Sequence, residues 1–585
     1  MAVVRNALCG KAAILTCYAT IKGYTPIRST RWGAKILETK YQAAFGRRHN
    51  VGAVVGWSIR GLLVAALLLP TIACTIGPDF AVPVAPLAEK FRGAGSRSVK
   101  SGPLEYERWW EGFRDPTLNK LIQIAYNQNL TLESAGTRVL QARAVLGIAI
   151  GITYPQVQQG VGSVIYNRTS AATPLAGPNA TPSYFWTDAL AAQAAWELDF
   201  WGKFRRGVES ADGVYLASIA TYDGVLVSLL ADVTATYIGI RTTERLIGIA
   251  RANVRRQEQA LRIAKAKFTG GGTSELDVFQ ATNVLEQTRA AIPQLTIQLQ
   301  QGENALCVLL GVPPQSLGMM LSRSAGRIPL PPTSVVVGIP ADLLRRRPDV
   351  RAAELAALAQ SAQIGIATTQ LLPAISITGT FGGSASTANG HTLGQVVSWK
   401  GVAYAAGPSF QWNLLNYGQI TNNIRLQDAK LQQLLIDYQN TVLSAQQEVD
   451  NGLATYLQSR NQAAYLRRSV EAANGALRIA LEQYEQGGTS FTTVLTAEQN
   501  LFQAQNSLAG ASASVPLGLT AVFRALGGGW QIREGGNFVS PATVDQMRAR
   551  TDWGNLLPPA NEPQPPAPGL PGPADIGPTI RPPEW

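Results

Sequence analysis

Histidine is almost missing from these 585 residues, with two in all, His49 and His391. Imidazole-based acid–base chemistry and metal binding are therefore poorly supplied. Cysteine is scarce as well, at four, and only Cys74 and Cys307 lie beyond residue 73; with Cys74 acylated, as expected below, no disulfide framework is left. Cys307 falls on an expected helix and reads as a small core residue. The apolar run Gly61–Leu69 is short for a helical membrane span. The glycine-rich Gly270-Gly271-Gly272-Thr273 lacks the Gly-Lys-Ser/Thr ending of a phosphate loop and reads as a turn. Nothing here has the signature of an enzyme. The net charge of +12 invites a nucleic-acid reading, but residues 1–73 hold ten basic and one acidic residue, a net of +9. Only +3 is left for residues 74–585, so that reading loses its support.

The leader that carries the charge ends in a signal. Arg60 precedes an apolar stretch from Gly61 to Leu69, followed by Pro70-Thr71-Ile72-Ala73-Cys74. The stretch suits the apolar region of a secretory signal. A small residue before Cys74 resembles a bacterial lipobox, which makes Cys74 the expected lipidation site and the first mature residue; an unmodified cysteine is the plainer alternative. Residues 1–50 show no periodicity, so the expected start lies near Val51–Val55, with residues 1–73 an over-extended N-terminus plus signal peptide. Thr75 is not the aspartate that retains lipoproteins at the inner membrane. Residues 74–105 are expected to form an extended, lipidated tether.

The body of the chain is a duplication. Ala260–Leu285, ALRIAKAKFTGGGTSELDVFQATNVL, recurs 216 positions later as Ala476–Leu501, ALRIALEQYEQGGTSFTTVLTAEQNL. On both sides of each glycine pair the apolar residues step by three and four, the pattern of a left-handed coiled coil. The glycines break the pattern where the chain must reverse, giving two antiparallel helical hairpins. Before each hairpin lie two alternating segments, 156–168 and 184–200 in the first copy, and stretches containing Ile375-Phe381 and Phe410-Leu414 in the second. A helix is expected from Asp115-Pro116 through Leu146, and another from Leu343. Arg345-Arg346-Arg347 reads as a solvated helix start. The organisation is repeat 1 at 106–311, a linker at 312–340, repeat 2 at 341–527, and a Pro-rich disordered tail at 528–585.

Four alternating strands with aromatic ends suit a membrane barrel. Four are too few to close one, since about eight is the minimum, so chains must pool strands, and three chains give twelve. The competing reading is ordinary β-structure in a lipid-anchored coiled-coil structural protein without a pore.

The residues then carry a family resemblance. Ala73-Cys74 with Gly77-Pro78-Asp79-Phe80, the block Trp109-Trp110…Phe113…Asp115-Pro116, and Leu344-Arg345-Arg346-Arg347-Pro348-Asp349-Val350-Arg351 resemble TolC-type outer-membrane factors, in the NodT- or OprM-like lipoprotein branch. The resemblance implies an α+β membrane protein: a homotrimer with a twelve-stranded barrel continuous with a long coiled-coil α-barrel. It implies a passive efflux duct in the outer membrane, or a duct for protein secretion. Its partners would be a periplasmic adaptor, an inner-membrane pump of the resistance-nodulation-division class and outer-membrane lipid, with no cofactor beyond the lipid on Cys74. The hairpin tips, Gly271, Gly272, Thr273, Gly487, Gly488 and Thr489, would contact the adaptor. Relatives place aspartates after the second tip; here Thr493 and Thr496 stand at those positions, leaving Asp277 as the expected constriction charge and Phe491 and Leu495 as apolar entrance residues.

Overall fold

The computed structural model describes residues 75–557, apart from residues 94, 97–98, 101–106, 171–182, 323–324, 333–334, 337–344 and 390–391. Cys74, His391, residues 1–73 and the Pro-rich residues 558–585 lie outside the described residues.

A short pair, β1 (Val99–Lys100), precedes the aromatic turn Trp109–Phe113. Asp115 then caps α1 (Pro116–Gln128), its carboxylate accepting from the N–H groups of Thr117 and Leu118. The single helix expected through Leu146 is two. Asn129 leaves helical geometry at ψ 120° and caps α2 (Leu130–Gly151) by accepting from the Leu132 N–H. Strands β2 (Val157–Arg168) and β3 (Tyr184–Glu197) follow. The first hairpin is α3 (Lys203–Thr269) and α4 (Glu275–Leu309). The second copy starts after β4 (Val335–Val336), which pairs in parallel with β1. It comprises α5 (Pro348–Thr369), β5 (Ala374–Ser386), β6 (Val402–Gln411), α6 (Gln419–Glu485) and α7 (Phe491–Ala525).

The duplication is metrically close. Helices α3 and α6 each have 67 residues, and α4 and α7 each have 35. At 1.5 Å per residue the long helices reach about 100 Å. Even the joints repeat. The Trp196 indole donates to the Thr153 carbonyl, and its counterpart Trp412 donates to the Leu371 carbonyl. Each ties the end of a repeat's second strand to the turn after the helix that precedes its strands.

The strands form one antiparallel sheet in the order β2-β3-β5-β6. Its register separates two chemistries. One face carries Tyr166, Trp186, Leu190, Trp196, Ile377, Phe381, Tyr404 and Phe410, and the other carries Ser163, Thr187, Gln193, Thr378, Thr380 and Ser409. The division is unequal rather than clean, since the first face also carries Gln158 and Asp188 and the second Ile165 and Phe185, but the aromatic-rich face is the one suited to lipid and the face with more small and polar residues the one suited to a wet lumen. Both β2 and β6 are left as edges.

The main core lies where the shorter helices pack on the long ones, around Trp109, Trp110, Leu118, Leu226, Tyr237, Leu306, Leu453 and Phe523. Cys307 is fully buried there, as expected. Three other expectations change. First, the tether is extended but fastened: the Ile76 N–H donates to the Trp201 carbonyl, Asp79 pairs with Arg206, and the N–H groups of Ala88 and Arg92 donate to the side chains of Gln446 and Asp450. Secondly, Arg347 is no solvated start. It is buried between Asp349, Glu448 and the Ala525 carbonyl, fixing α5 to the ends of the second hairpin. Thirdly, residues 528–557 are no disordered tail. They form a turn at Trp530–Arg533 and helix α8 (Pro541–Arg550). Ser540 donates to Glu133, Arg533 pairs with Asp223, and Val539, Val544, Met547 and Leu557 pack on Leu140.

Candidate functional site: the hairpin tips and the strand–helix junction

Each hairpin reverses through a glycine with positive φ, Gly271 at +75° and Gly487 at +77°. Such a backbone is costly for a residue with a Cβ. The next glycine closes the turn: the N–H of Gly272 donates to Lys267 and that of Gly488 to Gln483, at 2.8 and 2.7 Å. The tip glycines are exposed, while Thr273 and Thr489 are half-buried.

Behind the turns the two hairpins are joined within one chain. Ala260, Ala264, Ala281, Leu477, Ala480, Tyr484, Phe491, Val494 and Leu501 form a common apolar cluster. Asp277 sits at its edge. Its carboxylate accepts from the Thr273 hydroxyl and, at 3.1 Å, from the Tyr484 hydroxyl of the other hairpin. The Lys267 ammonium returns the link, donating to the Tyr484 carbonyl and lying 4.6 Å from its ring centre. Burial first, and then the Asp277 carboxylate, push the Tyr484 phenol above its usual range, against a donation from Thr273. The tyrosine therefore stays a proton donor at neutral pH.

The expected entrance residues divide. Asp277 is half-buried and already committed within its own chain. Thr493 and Thr496 are exposed, and Leu495 is half-buried against the apolar cluster. Phe491 does not line an entrance: it is 1 % exposed, with its ring 5.0 Å from that of Tyr484. As the first residue of α7, it lies beneath the turn and closes the cluster.

Sequence reading passed over a buried polar layer above the tip. Glu498 on α7 is 3 % exposed. Its Oε1 atom has no partner among the described residues, and the same holds for Arg256 Nη1 and Gln257 Oε1 on α3 and Gln280 Oε1 on α4. Just above, Asn253 donates to Gln505 at 2.8 Å across the two hairpins. Burial raises the Glu498 carboxyl to about 7, with Arg256 opposing. The available signal was positional, since Glu498 stands four residues after Val494 and three before Leu501, on the buried stripe.

At the opposite end of the long helices, Gly202 begins α3 with φ +78°. A Cβ there would lie 3.0 Å from Thr75 Cα, so the strap starts against the junction of β3 and α3. Asp199 caps that junction, accepting from the N–H groups of Phe204 and Arg205 and pairing with the Arg205 side chain.

This geometry has known counterparts. The sequence model of the outer membrane efflux protein family matches residues 121–312 and 339–528. Nodulation protein T of Rhizobium leguminosarum bv. viciae is 30 % identical over 450 residues, covering 77 % of this chain and 89 % of its own length. Outer membrane protein OprJ of Pseudomonas aeruginosa is 28 % identical over 478 residues, covering 80 % and 96 %. The solved outer-membrane channel OprN superposes with a TM-score of 0.73 at 31 % identity, covering 78 % of this chain and all of that one. A duplicated, strand-bearing helical hairpin protein matched along both repeats belongs to the outer membrane efflux protein family, and this chain is an outer-membrane efflux channel reaching into the periplasm.

Proposed function

We propose that three copies of this chain close a passive duct that carries small molecules out through the outer membrane. Energy would come from an inner-membrane pump of the resistance-nodulation-division class, joined through a periplasmic adaptor at the tips. The observation that carries this reading is the sheet with two open edges, β2 and β6, leading directly into helices 67 residues long. An apolar sheet face cannot stand in lipid with unpaired edges. Pairing β6 of one copy with β2 of the next satisfies both edges, and three copies make twelve strands. A lipid on Cys74 would hold the strap at the membrane, in keeping with Thr75 packed at the strand–helix junction.

The test is single-channel conductance of the purified protein in planar bilayers, with cysteine pairs placed across β2 and β6 to trap trimers. Discrete openings and a crosslinked trimer are expected. A folded monomer without heat-resistant β-structure would return the structural-protein alternative.

The link between hairpins predicts how the entrance is held. Tyr484→Phe removes a neutral donor to a carboxylate, a bond worth about 1.5–3 kcal/mol. At roughly 1.4 kcal/mol per tenfold, the open probability of the channel is expected to rise about tenfold or more. Asp277→Ala should raise it as well, through the same bond. Unchanged gating in both variants would show that the link does not hold the entrance.

A further inference from the structure

We propose that a polar cavity at the root of the first hairpin binds the guanidinium group of a small organic cation. Binding here does not depend on conduction, so it can be measured whether or not the channel opens.

The cavity encloses about 600 Å³, a size that falls among pockets holding small molecules. It lies where the start of α2, the middle of α3, the end of α4 and the start of α5 come together. Asn129, Thr131, Ser228, Asp232, Leu309 and Asp349 belong to its wall. Two of these are carboxylates, and among the described residues no lysine or arginine lines it.

The duplication identifies the ligand, because in the second copy the chain supplies a guanidinium at the equivalent place. Arg347 stands just before α5 and Asn129 just before α2, and each of these helices has 22 residues. Their backbones nearly coincide, with φ −65° and ψ 130° at Arg347 against φ −68° and ψ 120° at Asn129. The Arg347 guanidinium donates to the carbonyl of Ala525, the last residue of α7, and from both Nη atoms to Glu448 at 2.9 Å. At the offset of 216, Ala525 and Glu448 correspond to Leu309 and Asp232. One of these contacts is kept in the first copy: the Asn129 amide donates to the Leu309 carbonyl at 2.9 Å. The other is not. Asparagine is shorter and uncharged, and Asp232 meets only Arg524 among the described residues, at 3.4 Å between half-exposed side chains.

The first copy thus retains the acceptors that hold a guanidinium in the second, a carboxylate and a carbonyl at a helix end. It also has the room. Ala220 and Gly224 on the α3 wall stand where the second copy has Ile436 and Asn440. A Cβ added to Gly224 would meet nothing nearer than Pro348, at 3.8 Å. Asp349, although paired with Arg347, adds a second carboxylate to the wall. A planar guanidinium presents paired donors that a carboxylate accepts side by side, a match that an ammonium group cannot make.

The full-length protein in detergent is titrated calorimetrically with agmatine, which carries a guanidinium, and with putrescine, a diamine of the same charge, at equal ionic strength. Agmatine is expected to bind once per chain, and putrescine about tenfold or more weakly for want of the paired donors. Asp232→Asn should abolish saturation. So should Gly224→Leu, which fills the cavity without altering a charge, and Asn129→Arg, which supplies the guanidinium from within the chain as Arg347 does. Circular dichroism checks the folding of each variant, and if Asp232→Asn does not fold, Gly224→Leu decides. Equal affinity for agmatine and putrescine would overturn the guanidinium assignment. Agmatine binding that survives Gly224→Leu would overturn the site, and a parent protein that shows no saturable binding of agmatine would overturn the proposal outright.

Discussion

Arg533→Ala is expected to destabilise the C-terminal clamp by about 3–5 kcal/mol, the usual result of leaving one member of a buried ion pair alone. Arg533 and Asp223 are only 7 % and 5 % exposed in their side chains, and the guanidinium donates twice, Nε to Oδ1 at 2.5 Å and Nη2 to Oδ2 at 3.0 Å. Burial still lifts the Asp223 carboxyl to about 6 despite that partner. Without Arg533 the buried aspartate loses both of its guanidinium hydrogen bonds and keeps only the charge of Arg351 to oppose its desolvation. Helix α8 then loses the contact that holds its preceding turn. The readout is tryptic cleavage after Arg548 and Arg550, expected to accelerate more than a hundredfold if local opening governs the rate. Asp223→Leu combined with Arg533→Met should restore much of the protection, because a well-packed apolar pair avoids the desolvation of two charges. An unchanged cleavage rate in Arg533→Ala would show that the clamp is held elsewhere.

Glu498 should make the helical barrel less stable as the pH rises through neutrality. Its ordinary value is 4.5 and its value in the folded chain about 7. Below pH 4.5 the carboxyl is protonated in both folded and unfolded chains, and the stabilisation is fully present. Between the two values the unfolded chain releases its proton while the folded chain keeps it, so stability falls as the pH rises. Above pH 7 the loss is complete, roughly 3 kcal/mol per chain at about 1.4 kcal/mol per unit. The groups around it set the sign. Burial raises the carboxyl and Arg256 opposes the shift. Glu498→Gln should flatten the dependence of the melting temperature on pH between 5 and 8. A profile that keeps its slope would place the responsible group outside this layer.

Much of this architecture was readable because it is periodic. The heptad steps located both hairpins and the glycine pairs located their turns, since a 3.5-residue repeat and a positive-φ break are local facts. Alternation likewise found β2, β3 and β5, but it missed most of β6, which runs Val402–Gln411 and leaves Trp412 to Leu414 outside the strand. What escaped was non-local. The C-terminal clamp is built from contacts such as Arg533 with Asp223, 310 positions apart, and Ser540 with Glu133, 407 apart. No window of sequence contains both partners. Phe491 was misplaced for a related reason: at the first position of a helix the heptad does not say which face is inward, and the partner that buries it, Tyr484, lies across the turn. Arg347 looked solvated because its neighbours Arg345 and Arg346 are exposed; its acceptors, Glu448 and the Ala525 carbonyl, come from the distant second hairpin.

The fastened strap has a consequence for how the chain matures. Its anchoring points on α6, such as Gln446 for Ala88, stand 358 positions downstream, and β1 pairs with β4. Contacts of such separation form late, because the loop they close must be ordered first. The part of the strap around Ala88 and Arg92 therefore stays unattached until α6 has folded, whereas Ile76 and Asp79 can dock earlier on Trp201 and Arg206 of the first repeat. The stretch of strap that lies on α6 is among the last parts of the protein to be sewn in, and its docking reports that the second repeat has already found its place.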